Sequence, residues 1–252
     1  MYSFGATLLE RPPAVGGFTD RAADPALESQ RHIVIALVGM AFEAKIAAGP
    51  GVLVVCRNAR SELESVAECA ARQGYRGIIS FGVAGGLDSR LRTGDWVVAS
   101  AVLESQITRA TDAAWSSRLL SVISGASHAP IVGVDAPVAE PTMKRELHRT
   151  TGAAAVDMES HVVARLAAAH GLAFAAVRVI IDPADRRVPS AALLGMAADG
   201  SADIWAVLRD LVARPSQLSL LIRTAVDAFA ARAELLRVRR LLGPHFSFAD
   251  FA

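Results

Sequence analysis

Four carboxylates stand where an α/β protein would place its chemistry. Asp157 and Glu159 lie two residues apart at the start of the alanine-rich stretch VDMESHVVARLAAAHG. Asp182 closes the apolar run that begins at Leu172, and Glu43 follows the first apolar run of the chain. Met158, Val162, Val163, Leu166 and Ala167 recur at helical spacing, so the stretch is predicted to be a helix opened by the two acids and stopped at Gly171. Leu172 to Ile181 is almost without polarity, the pattern of a parallel strand covered on both faces. In open α/β sheets ligands bind in the crevice beyond the carboxyl ends of the strands. An acid there, with others one element earlier, predicts a site that protonates or orients a small polar molecule.

Each feature alone also has an ordinary structural reading. Glu43, Asp157 and Glu159 are acids favoured by a helix dipole at its N-terminus. Asp182 beside Pro183 suits a turn. Gly82-Val83-Ala84-Gly85-Gly86 is either a tight turn or a backbone approaching a ligand, and it fits neither G-x-G-x-x-G nor a P-loop. The six histidines show no metal or triad spacing, and His161 and His170 are expected on a helix surface.

The elements that must position these residues follow from hydrophobic periodicity. Residues 1–30, with Arg11-Pro12-Pro13, Gly16-Gly17 and Asp24-Pro25, read as an extension rich in breakers. Strands are expected at 32–38, 52–56, 77–81, 96–103, 131–134 and 172–181. Helices are expected from Phe42, at 61–73, 113–123, 142–148, 201–212 and 216–242. Gly82–Gly86 reads as a turn or loop, and 188–200 as a loop with a short helix. Strands alternating with helices indicate an α/β three-layer sandwich with a mixed, mostly parallel central sheet. The domain reading is an extension over 1–30, a catalytic domain over 31–214, and a C-terminal helix and tail over 215–252.

At 252 residues the chain has ample material for one core. A net charge of +1 argues against a nucleic-acid partner. No apolar run approaches the ~20 residues of a membrane span. The start lacks the pattern of a secretory signal. Cys56 and Cys69 make no disulfide framework and lack metal-ligand spacing. A cytoplasmic protein without metal or cofactor is expected.

Taken together, GMAFEAKIA, SFGVAGGLD, TGDWVV and VDMESHVVARLAAAHGLAFAAVRVIIDPADR resemble the nucleoside phosphorylase/nucleosidase superfamily over about His32 to Leu211, in particular its methylthioadenosine/S-adenosylhomocysteine nucleosidase branch. Within it the phrases are similar to the hopanoid-associated phosphorylases, described as adenosylhopane nucleosidases. The resemblance implies that Asp182 donates a proton to purine N7. It implies that Glu159 binds the ribose hydroxyls with Met158 against the sugar, and that Glu43 activates water. The Val83-Ala84-Gly85 backbone and Val138 would line the nucleoside site. A homodimer is also implied. The chain departs from the nucleosidases in having Val83 where serine is usual, Pro137-Val138 where an aromatic is common, and Ile181 before the acid.

Cleaving an N-ribosidic bond leaves positive charge on the sugar and negative charge on the base, so one acid and one base suffice, as in glycoside hydrolysis. Phosphorolysis would need cationic clamps. The loop Gly39–Glu43 has no arginine, although Arg57, Arg60 and Arg109 could converge. A binding protein without turnover is the third reading. The segment from Ser216 carries Leu218, Ile222, Ala225, Phe229, Ala233 and Leu236 at helical spacing, with Arg223, Arg232, Arg237, Arg239 and Arg240. It reads either as a helix packed on the sheet or partner, or as one that caps a pocket for a lipid 5′ substituent and touches the inner face of a membrane.

Overall fold

A computed structural model of the chain describes residues 34–56, 75–189 and 218–248. The chain divides between Gln30 and Arg31 into two units, and all described residues belong to the second. The extension at 1–30, the helices expected at 61–73 and 201–212, and Arg57, Arg60 and Cys69 lie outside the described residues.

Among the described residues, eight strands form one mixed sheet: β1 (Val34–Val38), β2 (Val52–Cys56), β3 (Gly77–Gly86), β4 (Trp96–Glu104), β5 (Ile107–Ala110), β6 (Ser127–Gly133), β7 (Ala155–Asp157) and β8 (Ala173–Asp182). Pairing is parallel for β1 with β2 and β3, for β3 with β8, for β4 with β6 and for β6 with β7. It is antiparallel for β3 with β7 and for β4 with β5 and β8. The circuit β3-β8-β4-β6-β7 returns to β3, so the central part of the sheet closes on itself. Closure removes unpaired edges there.

Helices cover both faces, as the α/β pattern predicts. On one side α4 (Ser160–His170) inserts Val162, Val163, Leu166 and Ala167 against Ile35, Leu37, Ile78 and Ile180. On the other, α1 (Ala41–Ala47), α2 (Ala113–Val122) and α5 (Leu218–Leu241) bring Ile46, Trp115, Leu119, Leu235 and Val238 onto Ala36, Ile79, Phe81 and Val177. Alternate residues of β1 and β3 serve opposite faces, which is why both strands read as continuous apolar runs. A further helix, α3 (Pro141–Thr151), has proline at its start and Gly152 in the left-handed conformation at its end.

Several local expectations change. Gly82–Gly86 is the second half of β3, because Gly85 and Gly86 pair with Val156 and Ala155 and Gly82 to Gly85 pair with β8. Asp157 ends β7, and the helix starts only at Ser160 with Glu159 as its N-cap. Pairing of Val132 and Gly133 with Val156 and Asp157 keeps that segment extended. His161 is buried, not on the helix surface, and lies against Gly133. In α5 the buried positions are Ala231, Leu235 and Val238, with Leu242 just after its end, while Ile222 and Phe229 of the expected apolar face are exposed. The part of α5 that contacts β8 therefore selects a different stripe from the one the spacing of apolar residues suggests.

Candidate functional site

The register of β3 on β8 builds the site. Val83 and Ala84 pair with Val179 and Ile180, and after an irregularity Gly85 pairs with Asp182. A β-carbon at Gly85 would stand 3.3 Å from Asp182 Oδ2, so the absence of a side chain there lets the two strand ends share one space. That space is a cleft of about 560 Å³ whose wall includes Met40, Phe42, Val83, Ala84, Gly85, Val138, Met158, Glu159, Ile181 and Asp182. Its wall also includes Arg186, Arg187 and Val188, and residues of α5 such as Leu220, Thr224, Ala225, Ala228 and Phe229.

The sequence-derived candidates Asp182, Glu159, Met158, Val83, Ala84, Gly85 and Val138 all border this cleft. Glu43 does not reach its surface. It is buried, and its neighbours Met40, Phe42 and Val83 form the wall at that point. Its carboxylate is tied to backbone amides: Oε2 accepts from Gly39 at 2.9 Å and Met40 at 2.8 Å, and Oε1 accepts from Val83 at 2.7 Å. The first two bonds are the reach-back of a third helical residue to the amides at its own N-terminus. The third joins α1 to β3.

Beside Glu43 lies a side chain the sequence reading passed over. Arg178, in the middle of β8, is fully buried. Its Nε donates to Asp157 Oδ2 and its Nη2 to Ser80 Oγ, each at 2.5 Å. Nη2 also stands 3.5 Å from Glu159 Oε2. Nη1 is buried without a hydrogen-bond partner among the described residues. A β-carbon on Gly82 would lie 2.7 Å from that Nη1 and would overlap Glu43, so glycine at 82 allows the two charged groups to meet across β3. The signal was available: one arginine in the apolar run FAAVRVII, where a buried charge needs partners.

One cation thus serves Asp157, Glu159 and Glu43. Asp157 is committed to structure, since it also accepts from the Ser160 amide at 3.0 Å and from the Ser160 hydroxyl. Glu159 borders the cleft and lies against Gly39. Burial pushes Glu43 up to about 7, opposed chiefly by Arg178, with Glu159 adding to the rise. Burial works against the charge on Arg178 too, yet Asp157, Glu159 and Glu43 hold it above its ordinary value.

Asp182 has a separate environment. Burial raises its pKa, and the Lys144 ammonium opposes the rise. Lys144, from α3, is fully buried; Nζ donates to Asp182 Oδ2 and lies 3.2, 3.0 and 3.1 Å from the carbonyl oxygens of Asp182, Pro183 and Arg186. No sequence signal marks it, because α3 is mostly polar and its other charges are ordinary surface residues. Arg186 and Arg187, also on the cleft wall, pair with Asp227 and Glu140. Arg109 pairs with Glu104 on β4.

The arrangement offers two carboxyl systems with different surroundings along one cleft. The glycines that mark them, Gly82 and Gly85, stand three residues apart on a strand, a rise of roughly 10 Å. Among the described residues no cluster of His, Cys, Asp or Glu could hold a metal ion.

Solved structures share this fold. Futalosine hydrolase of Helicobacter pylori superposes with a TM-score of 0.57 at 17% identity, covering 73% of this chain and 100% of that one. A putative 5′-methylthioadenosine/S-adenosylhomocysteine nucleosidase from Francisella philomiragia gives 0.56 at 19%, covering 73% and 99%. The corresponding H. pylori nucleosidase, complexed with a substituted pyrrolidin-3-ol, gives 0.55 at 18%, covering 73% and 98%. No curated protein matches the chain. The family model described as the phosphorylase superfamily matches residues 39–214, from the end of β1 through the cleft wall as far as Val188, and the chain therefore belongs to that superfamily.

Proposed function

We propose that the protein cleaves the N-ribosidic bond of a 5′-substituted adenosine by hydrolysis. Asp182 protonates the leaving base, Glu159 binds the ribose hydroxyls with Met158 against the sugar, and Glu43, which lies under the wall formed by Met40, Phe42 and Val83, takes the proton from water once that wall admits it. Val83, Ala84, Gly85 and Val138 border the nucleoside. Support for the reaction class comes from the superfamily match and from the fold shared with structures titled as nucleosidases and a futalosine hydrolase. The chemistry rests on two carboxyl groups in unlike surroundings, the usual way to obtain one acid and one base at neutral pH.

The observation that favours water over phosphate is the position of Glu43. Backbone amides at a helix N-terminus are the natural seat for a phosphate. Here the Gly39 and Met40 amides already donate to Glu43 Oε2. A phosphate would have to displace this carboxylate or be repelled by it. Of the four arginines of the wall, Arg186 and Arg187 are paired with acids, while Arg223 and Arg232 border it from α5.

Apolar residues of the wall support a reading of the 5′ group, and Arg186, Arg187, Arg223, Asp227 and Arg232 border the cleft beside them. Val188, Leu220, Ala225, Ala228 and Phe229 are apolar, and those of α5 lie outside the residues matched by the superfamily model. We propose an apolar 5′ substituent, of the kind carried by adenosylhopane, with ribosylhopane as the product. Ile222, Val226 and Phe229 of α5 are exposed, with Arg223 and Arg232 beside them. A membrane surface holding the lipid nucleoside is the proposed partner for that face, though no helix among the described residues could cross a membrane. A second copy of the chain, in the homodimer implied by the resemblance, is the competing partner. Light scattering and liposome sedimentation on the same sample distinguish them.

The deciding experiment is an adenine-release assay with and without phosphate. Ribose-type product independent of phosphate is expected. A ribose 1-phosphate product would establish phosphorolysis, and binding without adenine release would leave only a binding protein. Asp182→Asn should lower the rate by about 10²–10⁴-fold; full turnover in that variant would remove Asp182 from its role.

A further inference from the structure

The buried lysine of α3 has no place in the chemistry so far. Lys144 is fully buried, and a buried ammonium requires both counter-charge and hydrogen-bond acceptors. All four acceptors around Nζ belong to one short segment, Asp182 to Arg186: the carboxyl Oδ2 of Asp182 and the carbonyls of Asp182, Pro183 and Arg186. The segment is turned around the ammonium. Two more ties fix it to the start of α3: the Val188 amide donates to Ala139 O at 3.0 Å, and Arg187 pairs with Glu140. Lys144 therefore engages the acid through Oδ2.

We propose that Lys144 is the positioning residue of the general acid: it holds Asp182 by Oδ2, maintains the Asp182–Arg186 turn, and compensates the carboxylate formed when the proton leaves. The inference rests on the reading of Asp182 as the acid. In that step the O–H bond of Asp182 breaks as an N–H bond forms on the departing base. The electron pair of the broken bond stays on the carboxylate, beside the ammonium. The glycosidic electron pair goes to the base. A fixed cation at that carboxylate lowers the cost of the charge left behind without itself touching substrate. Burial and the cation act on Asp182 in opposite senses, burial raising its pKa and Lys144 opposing the rise.

The test follows the carboxyl of Asp182 by ¹³C NMR across pH, assigned with Asp182→Asn, in wild type and in Lys144→Gln and Lys144→Met. Loss of the cation should move the Asp182 titration to higher pH. It should also extend activity to higher pH while lowering kcat by about 10²-fold, the scale of a misplaced catalytic group. Folding is checked by urea denaturation. An unmoved Asp182 titration in a folded variant overturns the proposal, and so does an equal loss of rate at every pH. If neither variant folds, wild type still decides. The ¹⁵Nζ resonance of Lys144 must move with the Asp182 titration, and a flat Lys144 signal overturns the idea. The NMR readouts need no turnover, so a wild-type protein that releases no adenine would sink the proposed activity while leaving this coupling separately decided.

Discussion

Glu43 Oε1 accepts the Val83 amide hydrogen at 2.7 Å, across forty positions of sequence. That bond binds the start of α1 to the middle of β3. It also leaves the carboxylate just under the cleft wall, with the Arg178 guanidinium across Gly82.

Replacing Glu43 with Gln should abolish most turnover, because an amide cannot take a proton from water. All three amide hydrogens now point at carboxylate oxygens, and Gln offers only one oxygen. At least one buried amide is left facing an NH₂ group, so a stability loss of about 1–3 kcal/mol is expected. Adenine release and a urea midpoint measure the two effects. Wild-type rates in Glu43→Gln would exclude Glu43 as the base.

Stability should respond to pH through the same residue. The pKa of Glu43 is raised from 4.5 to about 7 in the folded protein, chiefly by burial. The native state therefore holds this proton more tightly than the unfolded chain. The corresponding stability is fully present below about pH 4.5 and is lost as pH rises through about 7. The ionised form needed for catalysis increases over the same range. Between pH 5 and 8 the Glu43 contribution to the urea midpoint should fall while its contribution to kcat/KM grows. Wild type minus Glu43→Gln isolates both trends, and a difference independent of pH would remove Glu43 as their source.

Gly82→Ala should be severe despite its size. The added carbon would overlap the Glu43 carboxylate and stand 2.7 Å from Arg178 Nη1. Both charged groups must shift, with an expected cost of about 1–3 kcal/mol and a loss of activity. Thermal unfolding with an adenine-release assay checks this. Full activity at 82 with alanine would mean that the Glu43–Arg178 approach is dispensable.

The two faces of α5 should separate stability from substrate choice. Leu235→Ala removes a fully buried side chain from the core and should cost about 2–5 kcal/mol. Phe229 is 71% exposed and borders the cleft, so Phe229→Ala should leave the unfolding midpoint nearly unchanged. It should weaken turnover of a nucleoside with a long apolar 5′ group more than that of a short one. Equal effects on both nucleosides would detach α5 from recognition of the tail.

Local patterning made much of the architecture legible. The apolar runs of β1, β3 and β8, the helical spacing in α4, and the acid at the end of β8 are properties of neighbouring residues, and each appears where its period places it. Asp182, Met158, Glu159 and the Val83–Gly85 segment could be singled out because they sit at ends of such runs, where side chains leave the core and can meet a ligand. What neighbours in sequence could not decide was which charges become buried together. Gly82–Gly86 carries turn-like residues yet is a strand, because β7 and β8 supply its hydrogen bonds from segments distant in sequence. Glu43 has the composition of a surface helix acid, but the pairing of β1 with β3 buries it against Val83 and Arg178. Lys144 looks like one more charge on a polar helix until the turn after β8 closes around it. Periodicity records whether a side chain faces a core, whereas desolvation and Coulomb energy depend on distances between segments, and only the closed sheet sets those distances.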